Sequence, residues 1–135
     1  YHLKEGFKEP SIVAPEYQLI DDLKWSDYNN NVVLKEWQKA GADYAMHTPD
    51  TTKKIIKPAG EWNTTKIIFT PVRVEHWLNG VKLLSFVPWT KDWYDRKSEG
   101  KWKDSPNYGK FKSGYIGLQD HDNPIWFKNI KIKKL

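Results

Sequence analysis

Val72-Arg73-Val74-Glu75-His76-Trp77-Leu78-Asn79-Gly80-Val81-Lys82-Leu83-Leu84-Ser85-Phe86-Val87 is the stretch that decides the fold class of this 135-residue chain. Asn79-Gly80 is the favoured pair for a type I′ turn, because both central residues of that turn need positive φ. The flank before it alternates: Val72, Val74, His76 and Leu78 share one face, and Arg73, Glu75 and Trp77 share the other. Alternation on both sides of such a turn predicts a β-hairpin.

Working outward, residues 62–70 are rich in β-branched and aromatic side chains and predict a strand ended by Pro71. Residues 15–22 predict another, with Glu16, Gln18 and Ile20 on one face and Tyr17 and Leu19 on the other. Residues 114–121 and 125–133 predict two more, joined by Asp122-Asn123-Pro124. Phe127 falls opposite Ile130 and Ile132, which suggests a bulge near Asn129. Helical signals are sparse: two turns over 32–39 closed by Gly41, and a short helix over 91–97 capped by Thr90. Asp21-Asp22 reads as a turn, and residues 97–112 read as a long loop packing its own aromatics, Trp102, Tyr108 and Phe111. Short strands separated by turn signals predict one domain over 1–135, an all-β antiparallel β-sandwich with one or two short helices in loops.

Composition narrows the function. Hydrophobic residues make up 39% and charged residues 29%, as in a globular protein. No apolar run approaches the roughly 18 residues of a membrane span, and no signal-peptide pattern opens the chain, which reads as mature or cytoplasmic. The absence of Cys removes disulfides, thiolate metal sites and Cys nucleophiles. Of the net charge of +5, four lysines (Lys128, Lys131, Lys133, Lys134) lie in the last eight residues; without them 18 basic residues face 17 acidic ones. The basic set is 20 Lys to 2 Arg, whereas base readout favours the bidentate Arg fork, so nucleic acid is not the expected partner. Eight Trp, seven Tyr and five Phe supply core material and flat faces for stacking on sugar rings.

Several ordered motifs carry a more specific message. They are Pro15-Glu16-Tyr17-Gln18-Leu19-Ile20-Asp21-Asp22, Lys57-Pro58-Ala59-Gly60-Glu61-Trp62-Asn63, Val74-Glu75-His76-Trp77-Leu78-Asn79-Gly80, Gly114-Tyr115-Ile116-Gly117-Leu118-Gln119-Asp120-His121 and Trp126-Phe127-Lys128-Asn129-Ile130-Lys131-Ile132. Together they resemble the 3-keto-disaccharide hydrolase domain family, long catalogued as a domain of unknown function. The resemblance implies a concanavalin A-like jelly roll and a role in carbohydrate breakdown. It also implies a periplasmic or extracellular protein, exported and in some cases lipid-anchored. Asp122 stands where the family usually has Gly. The chain resembles the C-terminal two-thirds of the family domain, so a complementing N-terminal fragment or a homodimer is expected to cover its open edges.

Alternation on the predicted strands places Glu16 and Gln18 on the concave ligand face, and Gln119 and His121 on the same face beside Gly117. Tyr17, Leu19, Ile116 and Leu118 then point inward, as does Asp120 unless the strand twists near its end. Glu16 and His121 are the candidate catalytic pair, one as general base and the other as acid. Gln18, Gln119, Asp120, His2 and Trp102 are candidate substrate contacts. His76, on the apolar hairpin face, reads more readily as a core histidine. No tight His/carboxylate spacing marks a zinc site, although Glu16, His121 and a loop carboxylate are a conceivable divalent-ion set. Gly-x-Ser-x-Gly, phosphate-loop and dinucleotide patterns are absent.

On a 3-keto-glycoside the ketone acidifies the C2 proton. A base removes it, an enolate forms, the glycosidic oxygen leaves C1, and water adds back. The alternatives are an ordinary glucanase-like glycoside hydrolase, which needs two carboxylates flanking the bond, and a non-catalytic carbohydrate-binding module. Polar groups converging in a cleft favour an enzyme; a flat aromatic platform favours a binder.

Overall fold

The computed structural model describes residues 1–120 and 123–135. Its centre is a three-stranded antiparallel sheet in the order β1-β2-β3: β1 Thr65–Phe69, β2 Val74–Leu78 and β3 Val81–Phe86. Asn79 and Gly80 have φ of 47° and 81°, the left-handed pair that the turn requires. The Asn79 side chain also ties the turn to the chain before β1. Its Oδ1 accepts from Thr64 N at 2.8 Å, and its Nδ2 donates to Ile55 O at 2.9 Å and to Asn63 Oδ1 at 2.7 Å.

Val74, His76 and Leu78 are buried as the alternation predicts; Val72, outside the strand, is exposed. Glu75 on the opposite face is also buried, held by Arg73 Nε at 2.8 Å and the Trp77 indole at 2.9 Å. The register shifts between His76 and Trp77, which lets both Leu83 and Leu84 of β3 bury.

Helix α1 is the single turn Trp25–Tyr28, and α2 is Lys91–Glu99, capped by the Thr90 hydroxyl as expected. Trp93 of α2 packs near-parallel to Tyr108, which stacks in turn on Trp102 at 4.3 Å. A Cβ at Gly109 would collide with the Trp93 ring, so this position must be Gly. With Met46, Val74, Leu84 and Phe86 these rings form the core. The loop after α2 therefore packs its aromatics inward, as its composition suggests.

Three expectations are corrected. Residues 32–39 give only the 3-10 turn Glu36–Gln38; β-branched Val32 and Val33 are exposed and non-helical. Residues 15–22 do not form a long strand. They meet residues 41–44 through the single bridge Tyr17↔Asp43, with Gln18 N donating to Ala42 O and Gly41 N to Gln18 O. Asp21 and Asp22 end this stretch in a turn: Asp21 Oδ1 accepts from Leu23 N and Lys24 N, and Asp22 pairs with Lys54. Among the described residues of 114–133, pairing is limited to the bridge Leu3↔Tyr115. Alternation marks one face of a possible strand, but a ladder partner is also needed. Leu19, Ile116 and Leu118, expected inside, are 40%, 60% and 54% exposed. Asn129 takes φ 54°, a left-handed kink at the position of the expected irregularity. No helix among the described residues is long and apolar enough to cross a membrane.

Asn79 joins hairpin and preceding loop through three hydrogen bonds and adopts positive φ. Asn79→Ala is expected to lower the unfolding free energy by about 1–2 kcal/mol, read from urea denaturation. A loss indistinguishable from zero would show that the turn does not hold the loop.

Candidate functional site

An open cleft of ≈ 320 Å³ is lined by His47, Thr48, Pro49, Asp50, Leu83, Leu84, Ser85 and Arg96. Three parts of the chain build it: the turn 43–50, strand β3 and helix α2. The turn is locked at both ends. Asp43 N donates to His47 O at 3.1 Å, His47 N returns a bond to Asp43 O at 2.9 Å, and Asp50 N donates to Leu83 O at 2.8 Å.

Asp43 is wholly buried, and its Oδ2 lies 2.8 Å from His47 Nδ1. A carboxylate only accepts, so His47 donates from Nδ1 and keeps Nε2 for proton exchange. The imidazole lies flat on Phe86, centroids 4.3 Å apart and 13° between planes. On its other side Nε2 is 3.6 Å from Asp92 Oδ2, which also accepts from Arg96 Nε at 2.9 Å. The Arg96 hydrogen bond, with the charges of Arg96 and His47, holds the Asp92 carboxyl below its usual range. Thr52 and Lys53 push Asp50 down to about 2, so the cleft rim carries ionised carboxylates. A histidine fixed by a buried carboxylate and opening on a polar cleft is the arrangement of a general base or acid.

Behind this pair lies a buried histidine. His76 donates from Nδ1 to Gly41 O at 3.0 Å, and burial lowers its pKa against the partial support of Asp43. This is the core histidine that the hairpin pattern suggests. The His76 ring sits 4.7 Å from Tyr17, whose hydroxyl donates to Trp77 O.

The sequence-predicted residues are distributed as follows. Glu16 is half-buried beside the same turn: its carbonyl accepts from Tyr44 N at 3.0 Å, and its charge reaches the Tyr108 hydroxyl. Gln18 is half-buried next to it, bonded through its backbone to 41–42. His2 packs against Phe69 at 4.6 Å, and burial lowers its pKa. Gln119 and Asp120 are exposed; Asp120 does not turn inward as strict alternation required. Trp102, expected as a sugar-stacking wall, is 4% exposed. Tyr108 covers one part of its ring system, and its indole donates to Tyr44 O. His121 lies outside the described residues. Among those described, no three His, Asp or Glu side chains gather as metal ligands.

Asp43, His47, Asp92 and Arg96 were not singled out by sequence reasoning. The available signal was an acid inside the small apolar run Gly41-Ala42-Asp43-Tyr44-Ala45-Met46, with His47 four residues on. An acid in such a run is buried, and a buried acid needs a partner.

Comparison with known proteins bears on the family. Residues 1–133 match the family described as the 3-keto-alpha-glucoside-1,2-lyase-like domain. A Bacteroides thetaiotaomicron protein named 3-keto-disaccharide hydrolase is 33% identical, over 92% of this chain and 45% of its own length. A solved structure of a presumed glycosyl hydrolase from Parabacteroides distasonis superposes with a TM-score of 0.73. It is 44% identical and covers 84% of this chain and 52% of that one. The chain thus spans about half the length of these relatives.

Because burial depresses the His76 pKa, the unfolded chain takes up a proton first as pH falls. Stability contributed by this residue is full above about 6.5, the unfolded value, and declines from there down to the folded pKa. Urea titrations between pH 7 and 5 are expected to show this acid loss. In His76→Gln the loss becomes shallower; an unchanged slope would count against a neutral buried imidazole.

Proposed function

This chain belongs to the 3-keto-alpha-glucoside-1,2-lyase-like domain family, and from that premise we propose that it supplies the proton-transfer side of a carbohydrate-cleaving site acting on 3-keto-glycosides. The observation that carries the reading is the buried Asp43 carboxylate holding His47 at the mouth of a polar cleft. His47 Nε2 removes the C2 proton, which the neighbouring C3 ketone has acidified. Electrons move into the enolate, and the C1–O bond breaks with the pair leaving on the glycosidic oxygen. That oxygen takes a proton from an acid, returned by His47 or supplied by Glu16 or His121. Water then adds its hydroxyl to C1 and a proton to C2 of the enone, completing net hydrolysis. Asp43 stabilises the imidazolium formed in the first step, as a buried carboxylate does behind a catalytic histidine.

Ser85, Thr48 and the ionised Asp50 offer hydrogen bonds to sugar hydroxyls, and Arg96, bonded to Asp92, lines the same cleft. A cleft of this volume suits one small ring rather than an extended chain. Convergence of these groups favours an enzyme over a flat binding platform, and a His-centred site favours elimination over a paired-carboxylate glycosidase. Glu16 and His121 remain the alternative proton-transfer pair; Glu16 lies beside the turn that carries Asp43.

We extend the proposal to architecture. The antiparallel sheet belongs to a jelly-roll sandwich whose remaining strands pair with the C-terminal segment. The exposed apolar side chains Tyr115, Ile116, Leu118, Trp126, Ile130 and Ile132 support this, since surfaces of that kind are normally covered. The cover is a complementing segment or a second copy, so light scattering should find particles heavier than the 16.0 kDa chain. A stable monomer would remove this part of the reading.

The decisive assay is turnover of a 3-keto-glycoside by the assembled protein. His47→Ala is expected to lower kcat roughly 100- to 10,000-fold with the fold intact. Full activity in that variant, with loss in Glu16→Gln or His121→Ala, would move the base to the alternative pair.

A further inference from the structure

The cleft opens on the outer edge of β3, and the ladder fixes which peptide groups face it. Successive residues of an antiparallel strand turn their N–H and C=O to alternate sides. Asn79 N donates to Thr64 O at 2.8 Å and Thr70 N to Arg73 O at 3.0 Å, so Arg73 and Asn79 both face the β1 side. Glu75 and Trp77 follow them, while Val74, His76 and Leu78 face β3. Val74 pairs with Phe86, and Glu75 with Ser85. Phe86 therefore turns its peptide groups toward β2, and Ser85 turns its N–H and C=O outward. The register shift lies between Lys82 and Leu84 and leaves this pair unaffected.

The edge is capped on either side of that residue. Asp50 N donates to Leu83 O at 2.8 Å, and the Thr90 hydroxyl donates to Val87 O at 3.0 Å. Between the caps, Ser85 lines the cleft together with His47 and Arg96. Among the described residues, no group outside the sheet bonds to the Ser85 N–H or C=O. The next residue is Phe86, on whose ring the His47 imidazole lies at 4.3 Å. The other donors lining the cleft are less fixed or already engaged. The Thr48 and Ser85 hydroxyls rotate, and Arg96 directs Nε to Asp92 and Nη1 to Met46 O.

We propose that the Ser85 backbone N–H holds the C3 oxygen of a 3-keto-glycoside while His47 removes the C2 proton, an inference that rests on the functional reading above. As the C2–H bond breaks, its proton passes to His47 Nε2 and its electron pair forms the C2=C3 bond. Negative charge then gathers on the C3 oxygen. An amide on a paired strand cannot rotate away, so this donor is aimed before the charge develops. Its hydrogen bond strengthens as ketone becomes enolate, which lowers the barrier rather than only tightening binding. The Ser85 C=O beside it only accepts, and it suits a hydroxyl next to the ketone. A donor and an acceptor side by side match the α-hydroxyketone that such a sugar presents.

Proline tests the N–H, because an edge strand accepts Pro where that group points outward. Ser85→Ala and Ser85→Pro both lose the hydroxyl, so their ratio isolates the amide proton. In turnover of a methyl 3-keto-glucoside, kcat of Ser85→Pro is expected roughly 100- to 1,000-fold below that of Ser85→Ala, with KM changed less. A ratio near one in a folded Ser85→Pro would overturn the role. If Ser85→Pro does not fold, an ester in place of the Leu84–Ser85 amide removes the same N–H and gives the same comparison. By NMR, the same sugar added to His47→Ala is expected to move the Ser85 amide proton downfield. A stationary Ser85 amide would overturn the contact. Full turnover in His47→Ala, with the Ser85→Pro deficit intact, would remove the base assignment and leave the donor standing.

Discussion

A carboxylate wholly inside a 135-residue chain is the constraint from which the rest follows. Removing such a charge from water costs several kcal/mol unless hydrogen bonds replace the lost hydration. At Asp43 the backbone closes on itself through His47, and the same five-residue turn delivers the imidazole to the carboxylate. The ring then has one position, flat on Phe86. Phe86 ends β3, whose register depends on the Asn79-Gly80 turn. The geometry of the cleft is thus inherited from a hairpin at one end and a buried charge at the other.

Legibility follows locality. The hairpin was readable because its determinants, positive φ at two residues and alternation on the strand before them, lie within sixteen consecutive positions. Helix α2 was readable from one cap, Thr90, and ran two residues further than its sequence signal. The stretches 15–22 and 114–133 alternate just as well, yet alternation describes a face and says nothing about which backbone will pair with it. Residues 15–22 found 41–44, a partner no periodicity announces. The candidate site was less legible for the same reason. Strand logic put Glu16 on a ligand face, and the structure sets it half-buried beside the turn that carries Asp43. Asp43 and His47 sit four apart, a spacing that suggests a helix surface, but the chain there makes a tight turn and buries the acid.

The two carboxylates beside His47 differ in a way that fixes which ring nitrogen carries the resting proton. Asp43 is buried and 2.8 Å from Nδ1; Asp92 is exposed and 3.6 Å from Nε2. Asp92 lies in the first turn of α2 and Arg96 in its last, each where the helix dipole favours its charge. Arg96 shares the Asp92 oxygen that faces the imidazole, so this carboxylate attracts the ring less than its charge alone implies. The resting proton therefore stays on Nδ1, against the stronger and drier partner. Nε2 is left with its lone pair toward the cleft, where a bound proton would make an imidazolium between two anions. Its stability comes chiefly from the inner one, since water screens the outer. The chemistry available to the site is decided by this asymmetry of burial, which no count of charged residues in the sequence would reveal.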